Sequence, residues 1–97
     1  MPRMEQAAVD LVLPAELTIY QAADFKSRLL APGPVTRDRV FDASAVERAD
    51  LAGLQLLLLA QRECTAAGHA LVLSQPSAAL SELLALLGLG ECFTLES

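Results

Sequence analysis

Few side chains in this sequence can do chemistry, and their spacing decides which of them could act together. The single histidine, His69, follows Cys64 by five residues, and a thiol beside an imidazole is the raw material of a nucleophile and its base. Gly68-His69, however, falls where a helix ends and a strand begins, which puts the imidazole in a surface turn. Cys64 and Cys92 are far apart and neither belongs to a CxxC pair, so the expectation is two buried free thiols and neither a disulfide nor a metal site. No glycine-rich phosphate loop and no acid–base set is present, and the chain reads as a non-enzyme without a cofactor.

One short stretch does carry a pattern. Asp50, Leu51, Ala52, Gly53 and Leu54 open a leucine-rich run, and Asp50 is placed to cap the helix that follows, its carboxylate accepting from the free N–H groups of the first turn. Two further hydroxyls lie near such positions: Ser44 fits a loop after a strand, and Ser77 fits an N-cap.

The elements that must hold these residues follow from local signals. Val9 to Leu13 alternates as a strand, Pro14-Ala15 breaks it, and Glu16-Leu17 is a second extended piece, which together predict an N-terminal β-hairpin. Thr18 and Gln21 stand in the relation of a capping box, and Ala22, Phe25 and Leu29 keep helical spacing, giving a first helix from about Ile19 to Leu30. The segment 31–34, Ala-Pro-Gly-Pro, cannot continue it. Arg39 to Ala43 reads as a strand, and a second helix runs from Leu51 to about Ala66, ended by Gly68. Ala70 to Leu73 is a short apolar run suited to the middle of a sheet. A third helix starts at Pro76-Ser77 and stops at Gly88, and Cys92 to Leu95 makes a last strand. Alternating strands and helices after the first hairpin imply an α/β domain with right-handed crossovers.

The second helix is more apolar than one sheet face requires. At 100° per residue Leu54, Leu57, Leu58, Ala60 and Cys64 share one broad arc, whereas Leu59 lies among Gln55, Arg62 and Glu63, and Leu56 lies at the edge of that polar side. Either a neighbouring helix covers them or they belong to a contact surface; Leu56 and Leu59 are therefore candidate partner contacts.

Size and charge bound the partners. Ninety-seven residues fit one domain, read here as 1–97 with residues 1–7 flexible. Aromatic residues are only 4% of the chain, which leaves no platform for stacking bases, and a net charge of −5 repels a phosphate backbone. Nucleic acid is thereby disfavoured. The apolar runs fall short of the ~20 residues a spanning helix needs, so no direct membrane insertion is expected. The first ten residues lack the apolar stretch of a secretory signal, and a cytoplasmic location is the expectation.

The segments LPAELTIYQAADFKSRLL (13–30), VFDASAVERADLAGLQLLL (40–58) and LVLSQPSAALSELLALLGL (71–89) together resemble the STAS domain, the fold of bacterial anti-sigma factor antagonists. The resemblance implies a mixed sheet with helices packed against it and a role in partner switching, in which the domain binds a serine kinase that is also an anti-sigma factor. In the family's D-S-S-G-L pattern the residue before the glycine accepts a phosphate; here that position is Ala52, which has no hydroxyl. A phosphate there would meet free N–H groups and the positive end of a helix dipole, so the site survives without its switch. Leu51 replaces the neighbouring polar residue, Asp50 matches the motif's aspartate, and Thr18 and Ala15 stand where a GELD turn has its aspartate and glycine.

The resemblance thus implies a regulatory module that binds a protein partner through Asp50, Leu51, Ala52, Gly53 and Thr18, permanently in the unphosphorylated state, and the helical wheel adds Leu56 and Leu59 to that surface. That partner would be an anti-sigma factor or a chemotaxis-type histidine kinase. The alternative it implies is an accessory subunit on the ATPase of a lipid-transport ABC system. A small-molecule sensor would use the carboxyl ends of the strands, but no polar cluster gathers at one turn.

Overall fold

The computed structural model describes residues 9–30 and 33–96. In chain order the elements are β1 (Leu11–Val12), β2 (Glu16–Leu17), α1 (Ile19–Leu29), β3 (Arg39–Asp42), β4 (Arg48–Ala49), α2 (Leu51–Ala66), β5 (Leu71–Ser74), α3 (Ala78–Leu86), a 3₁₀ turn (Gly90–Cys92) and β6 (Thr94–Glu96). The architecture is α/β, and all three helices fall within a residue or two of the spans that their periodicity and end signals predict. The flexible segment expected over residues 1–7, and Ala31-Pro32 of the expected loop, lie outside the described residues.

The hairpin does not form between the two pieces read as its arms. β1 pairs with β3 and β2 pairs with β4, both parallel, in registers that set Leu11 opposite Phe41 and Leu17 opposite Ala49. The physical reason lies at Pro14, which has no N–H to give to a ladder. Leu13 still donates to Asp42 O at 2.9 Å, so the strand runs straight through the break, and it resumes against a different neighbour as Ala15 O accepts from Glu47 and Arg48. Pro14-Ala15 therefore redirects the strand without reversing it. The short strand β4, which no local signal marks, exists because β2 arrives there to pair with it.

The main sheet has the order β1-β3-β5-β6, and every pairing among the described residues is parallel. β5 is central: Leu71, Val72 and Leu73 are all buried, as expected for a strand covered on both faces. Phe41 and Leu73, adjacent in register, form the middle of a core that also takes Leu13, Leu17, Leu29, Leu54, Leu57 and Leu84. Each such leucine contributes ~1.5–3 kcal/mol by leaving water.

The chain stops its helices with left-handed glycines. Gly68 (φ +83) follows α2, and the His69 N–H reaches back to Cys64 O at 2.8 Å; Gly88 (φ +71) follows α3, and Leu89 N–H reaches Leu84 O at 2.8 Å. α1 closes differently. The Arg39 guanidinium donates to Leu29 O at 2.5 Å, satisfying a carbonyl of the last turn from the first residue of the next strand.

Candidate functional site

The start of α2 is built around one carboxylate. Asp50 Oδ1 accepts from the Gly53 N–H at 3.0 Å, the N-cap bond the sequence predicts. Oδ2 accepts from the Ile19 N–H at 2.9 Å, the first residue of α1. One side chain therefore caps two helices and holds their N-termini side by side. These N–H donors, Gly53 first and Ile19 second, stabilise the charged form and hold the Asp50 carboxyl below the ordinary carboxylate value.

The capping box expected of Thr18 and Gln21 is not made. Thr18 is the N-cap residue of α1, but its side chain makes no cap bond, and its buried Oγ1 lacks a hydrogen-bond partner among the described residues. Gln21 N–H goes to the Thr18 backbone oxygen at 2.9 Å. The distant Asp50 supplies the side-chain acceptor at this helix start, on the Ile19 N–H, and the Thr18 hydroxyl is buried away from the surface.

Gly53 is fixed by steric necessity. A methyl placed on it would lie 2.0 Å from Leu17 O and 2.6 Å from the Leu17 carbonyl carbon, because β2 passes directly against this turn of the helix. Asp50 N–H donates to the same Leu17 oxygen at 3.2 Å. Ala52, between these two pinned residues, is half-buried and presents only a methyl group. Leu51 is 61% exposed.

Two further exposed side chains flank this point. Ile19 is 61% and Tyr20 89% exposed, at the first turn of α1 that Asp50 ties to α2. Sequence reasoning missed both, although a signal was present: Tyr20 falls on the polar stripe of α1 with Asp24, Ser27 and Arg28, where an aromatic ring has no core to enter. Leu51, Ile19 and Tyr20 thus gather exposed apolar surface at two helix starts.

The two candidate leucines separate. Leu56 is only 8% exposed and belongs to the core, a correction to its reading as a partner contact; α1 packs along α2 and adds a second covering neighbour beside the sheet. Leu59 is 41% exposed and lines a shallow pocket of about 300 Å³ with Gln55, Leu58 and Arg62. Steps of four residues carry this stripe from Leu51 through Gln55 to Leu59, along the open side of the same helix.

The remaining reactive groups do not converge. Burial raises the thiol pKa of Cys64, the opposite of what a nucleophile needs, and His69 Nδ1 lies 3.5 Å from Asp38 Oδ1. Cys92 is exposed, so the expectation of two buried thiols holds for Cys64 alone; the 3₁₀ turn before β6 carries Cys92 out of the core. Ser44 Oγ donates to Asp42 Oδ1 at 2.7 Å, and Ser77 Oγ accepts from Leu80 N–H at 3.1 Å, so both hydroxyls have local structural tasks. Among the described residues no group of three His, Cys, Asp or Glu side chains could hold a metal ion.

A family model described as "Mlab, STAS domain" matches residues 1–96, nearly the whole chain. The chain belongs to the STAS domain family. No curated protein matches it. The STAS assignment aligns with the observed order of parallel strands and helices, and STAS domains are in general regulatory modules that act through protein–protein interactions. No helix among the described residues is long and apolar enough to cross a membrane.

Proposed function

We propose that this STAS domain is a non-enzymatic binding module that docks a cytoplasmic protein through the start of α2, and that it does so without a phosphorylation switch. The observation that carries the reading is the pairing of a hydroxyl-free Ala52 with the exposed Leu51, Ile19 and Tyr20 around one doubly capping carboxylate. A phosphoacceptor site alternates between a neutral and a doubly charged surface; this one presents a constant apolar surface. Binding is then constitutive, and control lies with the partner's state or with abundance.

Two partner classes suit such a surface. One is a signalling protein, either an anti-sigma factor or a chemotaxis-type histidine kinase. The other is the ATPase of a lipid-transport ABC system, on which the domain would act as an accessory subunit.

The test is capture from source cells with wild-type and Ala52→Glu baits, followed by mass spectrometry. A single protein held by the wild type and lost by the variant supports docking at the helix mouth, and its identity selects the class. A raised rate of ATP hydrolysis on adding the domain to a captured ATPase selects transport. The same protein held equally by both baits removes the mouth as the interface, and stoichiometric phosphorylation of this chain by a cognate kinase removes the constitutive state.

A further inference from the structure

α3 is an unusually apolar helix for one that lies at the surface: within Ala78–Leu86 only Ser81 and Glu82 are polar. Its buried side is the pair Leu80 and Leu84. A second ridge, Ala79, Leu83 and Leu86, steps by four and then three residues along another face; Leu83 is half-buried against the core, while Ala79 is exposed and Leu86 is 80% exposed. Opposite this ridge run Glu47 and Ala49 of the segment around β4, and the two walls enclose an open groove of about 420 Å³. Ala49 of the groove wall immediately precedes Asp50 in the chain.

The charge at the groove is one-sided. Glu47 on one wall and Glu82 on the other are both exposed, and neither has an ion-pair partner among the described residues. The lining also holds one cation, Arg48, which lies 3.8 Å from Glu16, so the groove and its neighbour Glu16 together carry three carboxylates and one guanidinium. The whole chain carries a net charge of −5, which works against a second copy as the occupant.

We infer that this groove receives an amphipathic helix of the partner protein, whose leucine-type side chains pack on the Ala79–Leu83–Leu86 ridge and whose flanking lysines or arginines face Glu47 and Glu82. An apolar trough with an acidic rim selects that chemistry, because anchors at i, i+3, i+4 and i+7 fill the trough while the rim discriminates by charge. The inference rests on the docking reading and extends it by naming what the partner presents.

The experiment uses the isotope-labelled full chain and a synthetic helical peptide of about 18 residues with leucine at those anchor positions and lysine on the flanks; a second peptide has glutamate flanks. The expected result is that the lysine peptide shifts the amides of Ala49, Ala79, Glu82 and Leu86, that it binds at least about tenfold more tightly than the glutamate peptide, and that raised salt weakens it. The double charge reversal Glu47→Lys with Glu82→Lys and the exposed substitution Leu86→Glu each lower its affinity by about tenfold, while a charge reversal outside the groove lining, Asp24→Lys on the exposed side of α1, does not. Absent binding, equal binding of both peptides, or shifts confined to other surfaces overturns the inference. Concentration-dependent dimerisation abolished by Leu86→Glu overturns it also, assigning the groove to a second copy. With the natural partner, loss on Ala52→Glu but retention on Leu86→Glu removes the groove and leaves the mouth in place; retention by both variants removes the docking reading itself.

Discussion

Replacing Gly53 with alanine is the sharpest test of how the helix mouth is built. In an ordinary helix the change is favourable, because alanine restricts the unfolded chain by ~0.4–1 kcal/mol. Here the new methyl would arrive 2.0 Å from Leu17 O, an atom of the backbone that no rotamer change can move. Carbon–oxygen contacts settle at ~3.3 Å or more, so α2 and β2 must part by about 1.3 Å. Overpacking of this kind costs ~1–3 kcal/mol. The same oxygen accepts the 3.2 Å bond from Asp50 N–H, and stretching that bond costs a further ~0.5–1.5 kcal/mol. The balance is a destabilisation centred near ~2 kcal/mol, which in a domain of this size lowers Tm by about 8–16 °C. Thermal unfolding followed by circular dichroism, with urea titration to confirm an unchanged slope, reads it directly. Gly90→Ala is the matched control: nothing lies within 4 Å of a Cβ there, and stability should stay within ~0.5 kcal/mol of the parent. A Gly53→Ala protein that melts with or above the wild type would refute the close approach of strand and helix and the rigid mouth derived from it.

Asp50→Asn separates a double cap from a single one. Asparagine caps one helix as well as aspartate does, but here its amide would turn an N–H toward the Ile19 N–H, so a lower Tm is expected where a single cap would leave it unchanged. Because the folded chain holds the Asp50 carboxyl below its ordinary value, its stabilisation is fully present above the usual carboxylate range and is lost as pH falls through the depressed value; Asp50→Asn should flatten the acid side of the stability profile. Leu56→Ala should cost ~2–4 kcal/mol by denaturant titration, and Leu59→Ala under ~0.5 kcal/mol, since only the first is in the core. With a thiol reagent near neutral pH, Cys92 should react at once and Cys64 only on unfolding, because Cys64 is buried with a raised pKa.

The helices were legible in the sequence because their causes are local. α2 runs from Leu51 to Ala66 as predicted, set by an aspartate cap and a glycine stop that act within a few residues of the ends. The strand partners were not legible, since β1 and β2 are two residues long and their ladders depend on where Phe41 and Ala49 arrive. Thr18 illustrates the same division at one residue. Its neighbourhood satisfies the capping-box pattern, yet its side chain makes no cap bond, and the side chain that caps this helix start is Asp50, far along the chain, through the Ile19 N–H. The helical wheel placed Leu56 at a polar edge, and only the tertiary packing around α2 makes it interior. At the candidate site the Asp50 cap was legible from its neighbours, whereas Ile19 and Tyr20 join the exposed Leu51 only through a bond between two helices.

The unequal freedom of consecutive residues at the mouth of α2 has a consequence for how such a module can be retuned. Asp50 is committed to two helix ends and Gly53 to the strand behind it, so changes at either position are paid for in folding. Ala52 makes no side-chain hydrogen bond and is only half-buried, so its identity is nearly independent of the scaffold. A hydroxyl can therefore be restored at this position as Ala52→Ser, as a single interchangeable part, while Asp50 and Gly53 go on holding the frame around it. On the docking reading proposed above, a conditional contact and a permanent one are one oxygen atom apart.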